Sequence, residues 1–137
     1  MTFDVKMTLE QKARYVAGGH QTAPTNDITF ASVVSQDSTR ITFLVAALNN
    51  LDVLSADIIG AYLNAIAAKK VYTIAGKEFG AEKEGRVVVI TRALYGMPNS
   101  GKAWRENMAA MLRDHGYNSC RADPDVWMMP KTKTNGF

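Results

Sequence analysis

The sequence predicts an α+β fold in which helices pack on one face of a mainly antiparallel sheet. Two stretches of helical periodicity are separated by pairs of strand-like runs, and no internal repeat or Pro/Gly-rich linker divides the 137 residues. A chain of this length has room for one domain with a substantial core. With 47% hydrophobic and 21% charged residues, the chain is expected to be globular rather than disordered.

The N-terminal part is predicted to contain a strand over Lys12–Ala17, because Tyr15 and Val16 favour extended structure. Residues 1–11 carry little signal and are expected to form a frayed lead-in. A turn-rich segment is expected to follow the Gly18-Gly19 pair.

The first helix is predicted to start at Asp37 and Ser38, which are good N-cap residues, and to run to about Asn49. Apolar residues recur inside it with helical spacing, and such a stripe is typical of a buried face. The predicted stripe consists of Ile41, Leu44, Val45 and Leu48.

A short apolar run, Val53–Ile59, has the length of a strand and is interrupted by the carboxylate of Asp57. A carboxylate inside a buried strand is costly unless it is paired or holds a metal ion. Two interpretations stay open at this point. Asp57 either caps the turn that follows, or it reaches a cleft at the end of the strand, where Tyr62 comes next.

The C-terminal half is predicted to alternate strands, turns and one further helix. Arg86–Arg92 is the clearest strand, because β-branched residues dominate it. The remaining predicted elements are a strand over 70–74, a loop with one helical turn over 76–85, a turn over 94–100, a helix from Gly101 to His115 capped by Ser100 and ended by Gly116, and short strands over 117–120 and 126–129.

Composition excludes several classes of protein. The longest apolar run is too short to cross a bilayer, and the first residues lack an apolar stretch of signal-peptide length. One cysteine, Cys120, forms no internal disulfide and offers no metal-ligand spacing. We therefore expect an intracellular protein without a membrane partner. The net charge of +3 and pI near 9.1 permit a nucleic-acid partner without demanding one.

Residues Gly96–Ala103 nearly match the phosphate-binding loop G-x-x-x-x-G-K-[ST], and they lie between a predicted strand and a predicted helix. The hydroxyl that would ligate magnesium is missing, because Ala103 occupies its position. Phosphate affinity from Lys102 and the helix N-terminus stays possible, which leaves a P-loop-like nucleotidase as one alternative.

Lys12 and Arg14 lie two residues apart on a predicted strand, so that their side chains share one face. Two neighbouring cations suit a triphosphate or a backbone phosphate. The competing interpretation is a solvated strand edge, where lysine is common.

The order of motifs is more specific than any one of them. The motifs that carry the resemblance are Lys12–Gly18, Ala31–Ser35, Arg40, Ala56–Asn64, Val71-Tyr72, Glu78–Gly80, Ala93–Gly96, Ser100, Ala103-Trp104 and Asp123–Trp127. In this order they resemble the reverse transcriptase domain of Ty1/copia-type retrotransposons, which is part of a Pol polyprotein. The resemblance covers about residues 10–130. It implies a right-hand polymerase fold, of which this chain would be a single partial domain, the fingers and part of the palm.

The resemblance implies an RNA-directed DNA polymerase that uses Mg²⁺ or Mn²⁺. By it, Asp57 is the first catalytic aspartate and a metal ligand, and the backbone of Ile58 is a further metal ligand. Two ions ~3.5–4 Å apart stabilise the attacking and leaving oxygens in chemistry of this class. Tyr62 matches the aromatic residue that screens the sugar 2′ position and so selects deoxynucleotides.

The same resemblance assigns the remaining nucleotide-side residues. Lys12 and Arg14 match the basic strand of the fingers near the triphosphate, and either one is a candidate for the contact. Tyr95, Gly96 and Ser100 match the turn that packs against the nascent pair and the template. The implied partners are an RNA or DNA template-primer, deoxynucleoside triphosphates and the remainder of the Pol polyprotein, in a cytoplasmic particle or the nucleus.

Two departures from the family pattern change what we expect. Residues Met97–Ser100 read Met-Pro-Asn-Ser where the family usually has Leu-Lys-Gln-Ser, so the template-side loop has lost a lysine. The family's Tyr-Val-Asp-Asp hairpin does not occur in the 137 residues. One carboxylate cannot hold two metal ions. We therefore expect a truncated domain that is inactive alone, with a non-catalytic nucleic-acid- or nucleotide-binding remnant as the alternative.

Overall fold

The computed structural model describes residues 2–18 and 29–130, and over these residues it confirms an α+β chain. Two short 3-10 turns, Ala61–Asn64 and Lys77–Phe79, accompany the regular elements. The helices and strands are β1 (Thr2–Val5), β2 (Gln11–Arg14), α1 (Gln36–Leu48), β3 (Ile66–Ile74), β4 (Val87–Arg92), α2 (Ser100–Asp114), β5 (Asn118–Ser119) and β6 (Trp127–Met128). The predicted turn-rich segment after Gly18 falls mostly outside the described residues.

The predicted antiparallel pairing is confirmed, but the prediction of one sheet is wrong for the part of the chain that the structure describes. Its strands form separate antiparallel two-stranded sheets, β1–β2, β3–β4 and β5–β6. Each strand pairs with its neighbour in sequence, so every sheet is a local hairpin. Strand-like composition does not indicate how many partners a strand has, because pairing depends on contacts made outside the strand itself.

The chain divides into two compact units. The first consists of Met1–Phe30 and Gly60–Arg105 and contains the β1–β2 and β3–β4 hairpins. The second consists of Ala31–Ile59 and Glu106–Phe137 and contains α1, the β5–β6 hairpin and the second part of α2. The expectation of a single domain over residues 1–137 stays a prediction.

In the first unit, the segment expected to be a frayed lead-in forms β1 and pairs with β2. The connecting turn is closed by an ion pair of 2.6 Å between Lys6 Nζ and Glu10 Oε2. It also uses a left-handed residue, Leu9, with φ 64°. Sequence analysis missed this hairpin because its turn contains no glycine, proline or asparagine, which are the usual turn residues. The predicted strand over Lys12–Ala17 is correspondingly shorter, since β2 ends at Arg14.

The β3–β4 hairpin confirms the predicted strands over 70–74 and 86–92. Alanines that lie just outside the paired strands close both of its ends. The Ala75 N–H donates to the Arg86 carbonyl at 2.9 Å, and the Ala93 N–H donates to the Ala65 carbonyl at 3.0 Å. All three alanines are buried, since a methyl group leaves room for the close approach of two backbones.

Helix α1 is confirmed, but its predicted cap is wrong. The N-cap is Ser35, whose hydroxyl accepts a hydrogen bond of 3.1 Å from the Ser38 N–H. The predicted buried stripe is also wrong: its residues, Ile41, Leu44, Val45 and Leu48, are between 48% and 76% exposed. The buried residue of α1 is Ala46, which lies off that stripe. Helical spacing identifies a shared face, but burial requires a neighbouring layer that spacing cannot supply.

The strand predicted around Asp57 is wrong, because residues 51–58 have no regular secondary structure. The chain turns directly after α1, where Asn50 adopts a left-handed φ of 51° and the Leu51 N–H donates back to the Ala46 carbonyl at 2.9 Å. The following apolar residues are exposed through Ile59. An apolar run forms a strand only where a partner accepts its hydrogen bonds, and the described strands all pair elsewhere.

The C-terminal end of helix α2 and the final hairpin agree with the sequence. Gly116, with φ 86°, ends α2, and the Tyr117 N–H donates to the Leu112 carbonyl at 3.0 Å as in a Schellman motif. The strands β5 and β6 lie inside the two short stretches predicted for them. The buried residues among 2–18 and 29–130 are all small: Ala46, Ala65, Ala75, Ala93, Ser100 and Ala109. Within the described chain, no helix combines the length and apolar character needed to cross a membrane.

Candidate functional site

Three predicted site residues of the first unit come together in the structure. The ring of Tyr95 lies 4.7 Å from the ring of Tyr62, centroid to centroid, at an interplanar angle of 42°. The guanidinium carbon of Arg14 lies 6.0 Å from the centroid of the same Tyr95 ring. We call Arg14, Tyr62 and Tyr95 the Arg14–tyrosine cluster. A cation over an aromatic face is attracted by the ring quadrupole, so the Tyr95 ring contacts both a charge and a second ring.

Local backbone geometry positions each member of this cluster. Tyr62 lies in the 3-10 turn Ala61–Asn64, which begins after the left-handed Gly60 with φ 62°. Arg14 is the last residue of β2. Beyond it, the Ala17 N–H donates to the Tyr95 carbonyl at 2.8 Å, so the chain after β2 is attached to the turn that carries Tyr95.

Gly96 is required by this attachment for two reasons. Its φ is 88°, in the left-handed region that side chains disfavour. A Cβ at position 96 would also overlap the carbonyl oxygen of Ala17 and lie 2.9 Å from Val16 Cγ1. The predicted site residue Gly96 therefore allows two backbones to approach closely, and it orients Tyr95 without needing a side chain.

The two predicted cations of β2 have different surroundings. The register of β1–β2 places Asp4 opposite Lys12 and Thr2 opposite Arg14. Opposite charges facing one another across a strand pair attract, so the charge of Lys12 has a local counterpart that Arg14 lacks in this register. Sequence analysis missed Asp4, since it lies in the segment that was expected to be frayed.

Ser100 is 3% exposed and donates its hydroxyl proton to the Leu94 carbonyl at 2.5 Å. The prediction that it caps α2 is wrong, because the helix begins at Ser100 itself and the hydroxyl is directed back onto the preceding turn. Its backbone N–H donates to the Met97 carbonyl at 3.2 Å. Ser100 therefore closes the turn over 94–100, which carries Tyr95 and Gly96.

Asp57 and Ile58 belong to the second unit and lie on the exposed, irregular segment after α1. Divalent metal sites need several oxygen ligands at once. Across residues 2–18 and 29–130, no three His, Cys, Asp or Glu side chains are grouped so that they could hold a metal ion. The described residues around Asp57 thus do not provide the donor set of a Mg²⁺ or Mn²⁺ site.

The strand–turn–helix context of the P-loop-like stretch is present, since β4 ends at Arg92 and α2 begins at Ser100. Lys102 lies in the first turn of α2 and is half-buried. Ala103 donates its N–H to the Asn99 carbonyl at 2.9 Å and offers no hydroxyl to a metal ion. The stretch therefore builds a turn and a helix start, and it lacks the magnesium ligand of a P-loop.

A carboxylate that sequence analysis did not single out organises the second unit. The Ser35 N–H donates to Asp123 Oδ2 at 2.9 Å, and the Asp125 N–H donates to Asp123 Oδ1 at 3.1 Å. Hydrogen bonds to the carboxylate lower the pKa of Asp123 from 3.8 to about 2. The Ser35 N–H has the largest effect, followed by the Ser38 hydroxyl and the Asp125 N–H. The Asp-Pro-Asp sequence is a turn signal that points to this residue, although it does not identify the helix that the carboxylate contacts.

Comparisons with known proteins identify the family of the chain. The sequence profile of the family described as "Reverse transcriptase (RNA-dependent DNA polymerase)" matches residues 2–135. The chain is 26% identical over 126 residues to the "Retrovirus-related Pol polyprotein from transposon RE1" of Arabidopsis thaliana. That alignment covers 90% of this chain and 9% of the polyprotein, so the chain spans a small part of the length of its relative. No solved structure matches the chain.

The profile match covers nearly the whole chain and includes the Arg14–tyrosine cluster, the turn over 94–100 and the Asp57 segment. The resemblance drawn from the order of motifs is thereby confirmed. The chain belongs to the reverse transcriptase family, and it is similar to part of a retrotransposon Pol polyprotein.

Proposed function

We propose that this chain supplies the nucleotide-side residues of an RNA-directed DNA polymerase, as the fingers and part of the palm of a right-hand fold. The observation that carries the proposal is the match of the reverse transcriptase family over residues 2–135. The natural context of the chain is then a longer Pol polyprotein, in a cytoplasmic particle or the nucleus. Its ligands are deoxynucleoside triphosphates and an RNA or DNA template-primer.

Within this proposal, the Arg14–tyrosine cluster binds the incoming nucleotide. The cation–π contact uses none of the hydrogen-bond donors of Arg14, and a guanidinium matches the geometry of phosphate oxygens. Tyr62 screens the sugar 2′ position by steric exclusion. Tyr95 orients Arg14 and Tyr62, because its ring contacts both side chains.

The turn over 94–100 forms the template side. Gly96 lets the backbone approach the chain after β2, and Ser100 holds the turn closed through Leu94. Of the two cations on β2, we assign the triphosphate contact to Arg14, because Lys12 faces Asp4 across the hairpin. Lys12 then contributes a longer-range positive charge.

Asp57 and the Ile58 carbonyl contribute one side of a divalent metal site in this proposal, and the metal would supply charge stabilisation to the transferring phosphate. Among the described residues, no three His, Cys, Asp or Glu side chains are grouped so that they could hold the ion. We therefore propose that the 137-residue chain binds nucleotide but does not polymerise by itself.

Nucleotide binding is the decisive test. Calorimetric titration of the purified chain is expected to detect dTTP, and to detect more weakly 5-methyluridine triphosphate, which differs from dTTP only by its 2′ hydroxyl. Tyr62→Val should remove that preference by opening space at the 2′ position, whereas Tyr62→Phe, which keeps the ring, should preserve it. Equal affinity of the unaltered chain for both nucleotides would contradict the screening role of Tyr62.

Primer extension tests the second half of the proposal. With poly(rA), oligo(dT), dTTP and Mg²⁺ or Mn²⁺, we expect no incorporation by the chain alone. Incorporation that Asp57→Asn abolishes would overturn the proposed inactivity while supporting the metal-ligand role.

A non-catalytic binding protein is the second candidate, and the observation in its favour is the lack of an acidic cluster around Asp57 in the described chain. It predicts nucleotide or nucleic-acid binding that is indifferent to Asp57→Asn and to divalent metal. The polymerase proposal predicts that Mg²⁺ strengthens triphosphate binding in the unaltered chain more than in Asp57→Asn. This difference distinguishes the polymerase proposal from a non-catalytic binding protein.

A further inference from the structure

Phe79 contacts the segment that carries Arg14, although it lies outside the Arg14–tyrosine cluster. Its ring and the ring of Tyr15 form an edge-to-face pair, with centroids 5.4 Å apart and an interplanar angle of 80°. This arrangement is one of those that two aromatic rings prefer, and it adds to the free energy of apolar burial. Tyr15 is half-buried and Phe79 is 40% exposed.

Backbone hydrogen bonds hold Phe79 in place on the loop between β3 and β4. Phe79 ends the 3-10 turn that begins at Lys77, and its N–H donates to the Gly76 carbonyl at 3.1 Å. The base of the loop is closed by the Gly85 N–H, which donates to the Ala75 carbonyl at 2.8 Å. The Phe79 ring is thus carried by a hydrogen-bonded turn, and ordered elements position the groups they contact more precisely than open loops do.

Consecutive residues at the end of β2 contact two different elements. The Arg14 guanidinium lies near the Tyr95 ring, Tyr15 contacts Phe79, and Val16 forms a parallel bridge with Tyr95. The backbone has only two soft dihedral angles per residue. Fixing the Tyr15 side chain therefore restricts the direction in which the neighbouring Arg14 side chain leaves the backbone.

We propose that Phe79 is a positioning residue for Arg14 and acts through the ring of Tyr15. The inference rests on the proposed contact of Arg14 with the triphosphate. A planar guanidinium binds two phosphate oxygens at once only in a defined orientation. Removal of the Phe79 ring leaves the charge of Arg14 unchanged but releases Tyr15, so that the two-oxygen contact forms less often.

Calorimetric titration with dTTP tests the consequence for binding. Phe79→Leu keeps an apolar side chain and removes the ring, and it should weaken dTTP binding about 3- to 10-fold, the factor that corresponds to one aromatic pair. Phe79→Tyr keeps the ring and should restore the affinity. Phe30→Leu is the matched control, because Phe30 is an aromatic residue of the same unit that is 75% exposed. Equal weakening by Phe30→Leu and Phe79→Leu would overturn the assignment.

A role of Phe79 in stability alone predicts a different pattern in the Arg14→Lys background. Arg14→Lys keeps the positive charge but lacks the planar fork, so its phosphate contact depends less on orientation. In that background Phe79→Leu should weaken dTTP binding by less than about 2-fold. Equal weakening in both backgrounds would overturn the proposal, since the effect of Phe79 would then not pass through the guanidinium.

A measurement without nucleotide distinguishes failure of this inference from failure of the proposed function. Nuclear Overhauser effects between Arg14 side-chain protons and the Tyr95 ring report the orientation of Arg14 in the free chain. Phe79→Leu should weaken them, and Phe30→Leu should not. Unchanged effects in Phe79→Leu would overturn the positioning role.

The two measurements together assign any failure. Weakened Overhauser effects in Phe79→Leu, with no binding of dTTP by the unaltered chain, would support the positioning role and contradict the triphosphate contact of Arg14. Circular dichroism of each variant verifies that the fold is retained.

Discussion

The Ser35 N–H donates a hydrogen bond of 2.9 Å to Asp123 Oδ2, across 88 positions of sequence. Ser35 is the N-cap of α1, so the carboxylate lies at the positive end of the helix dipole as well. The Val126 N–H donates to the Asp123 carbonyl at 3.1 Å, just before β6. One residue thus connects the start of α1 to the turn of the final hairpin, through its carboxylate and its backbone carbonyl.

Acid should weaken the second unit through Asp123. Its folded pKa of about 2 lies below the ordinary 3.8, so the native state binds fewer protons than the unfolded state does. The stabilisation is therefore complete above about pH 4 and is lost as the pH falls through about 2. Urea titrations followed by helical circular dichroism should show that Asp123→Asn destabilises the chain at neutral pH, and that the difference from the unaltered chain vanishes near pH 2.

Asp52→Asn is the matched control for this effect, because Asp52 is an exposed carboxylate of the same unit. It should follow the unaltered chain at every pH. A constant difference between Asp123→Asn and the unaltered chain across the whole range would contradict the assignment to the ionised carboxylate.

Substitution of Gly96 by alanine should destabilise the first unit more than the same substitution at Gly85. Both glycines have positive φ, 88° and 75°, so an alanine at either position should raise the conformational energy of the folded state by about 1 kcal/mol. Only position 96 adds an overlap of the new Cβ with the Ala17 carbonyl, whereas a Cβ at position 85 meets nothing within 4 Å. We expect Gly96→Ala to cost about 2 kcal/mol or more in the free energy of unfolding.

Chemical denaturation of the two variants provides the measurement. Equal costs at positions 85 and 96 would mean that the chain after β2 is not attached to the turn over 94–100. Because the same attachment orients Tyr95, Gly96→Ala should also weaken dTTP binding, and Gly85→Ala should leave it unchanged.

Family membership could be predicted from the order of the motifs, and most of the helices and strands could be predicted from the local preferences of their residues. The β-branched run of β4 and Gly116 at the end of α2 determine structure through their own backbone preferences. The order of motifs predicts Tyr62, Tyr95 and Arg14 as candidate site residues. Their contact with one another could not be predicted, since it depends on the parallel bridge between Val16 and Tyr95, which joins distant parts of the chain.

The errors have a common physical origin. Asp57 was expected in a strand and Leu44 in a core because apolar residues surround them in sequence. Strand pairing and burial require partners from other elements, and in the structure Asp57 lies on an irregular segment and Leu44 is exposed. The β1–β2 hairpin was missed for the opposite reason, since its turn relies on an ion pair between Lys6 and Glu10 rather than on turn residues.

The exposed stripe of α1 gives a direct test of that account. Leu44→Gln should change the free energy of unfolding by no more than about 0.5 kcal/mol, because the side chain is 57% exposed. Ala46→Gln places a larger polar group at a position that is 8% exposed and should cost about 1–3 kcal/mol. Urea titration of the two variants measures both values. A greater loss for Leu44→Gln than for Ala46→Gln would mean that the stripe is buried after all.

Removal of the Tyr95 ring should weaken nucleotide binding by the Arg14–tyrosine cluster. Tyr95→Leu loses the cation–π contact and the contact with Tyr62, which together are worth about 1–2 kcal/mol at an exposed site. We expect dTTP affinity in calorimetric titrations to fall about 5- to 30-fold as a result. Tyr95→Phe keeps both contacts and should bind like the unaltered chain. If Tyr95→Phe weakened binding as much as Tyr95→Leu, the hydroxyl rather than the ring would carry the function of Tyr95, and the cluster would not act by orienting Arg14.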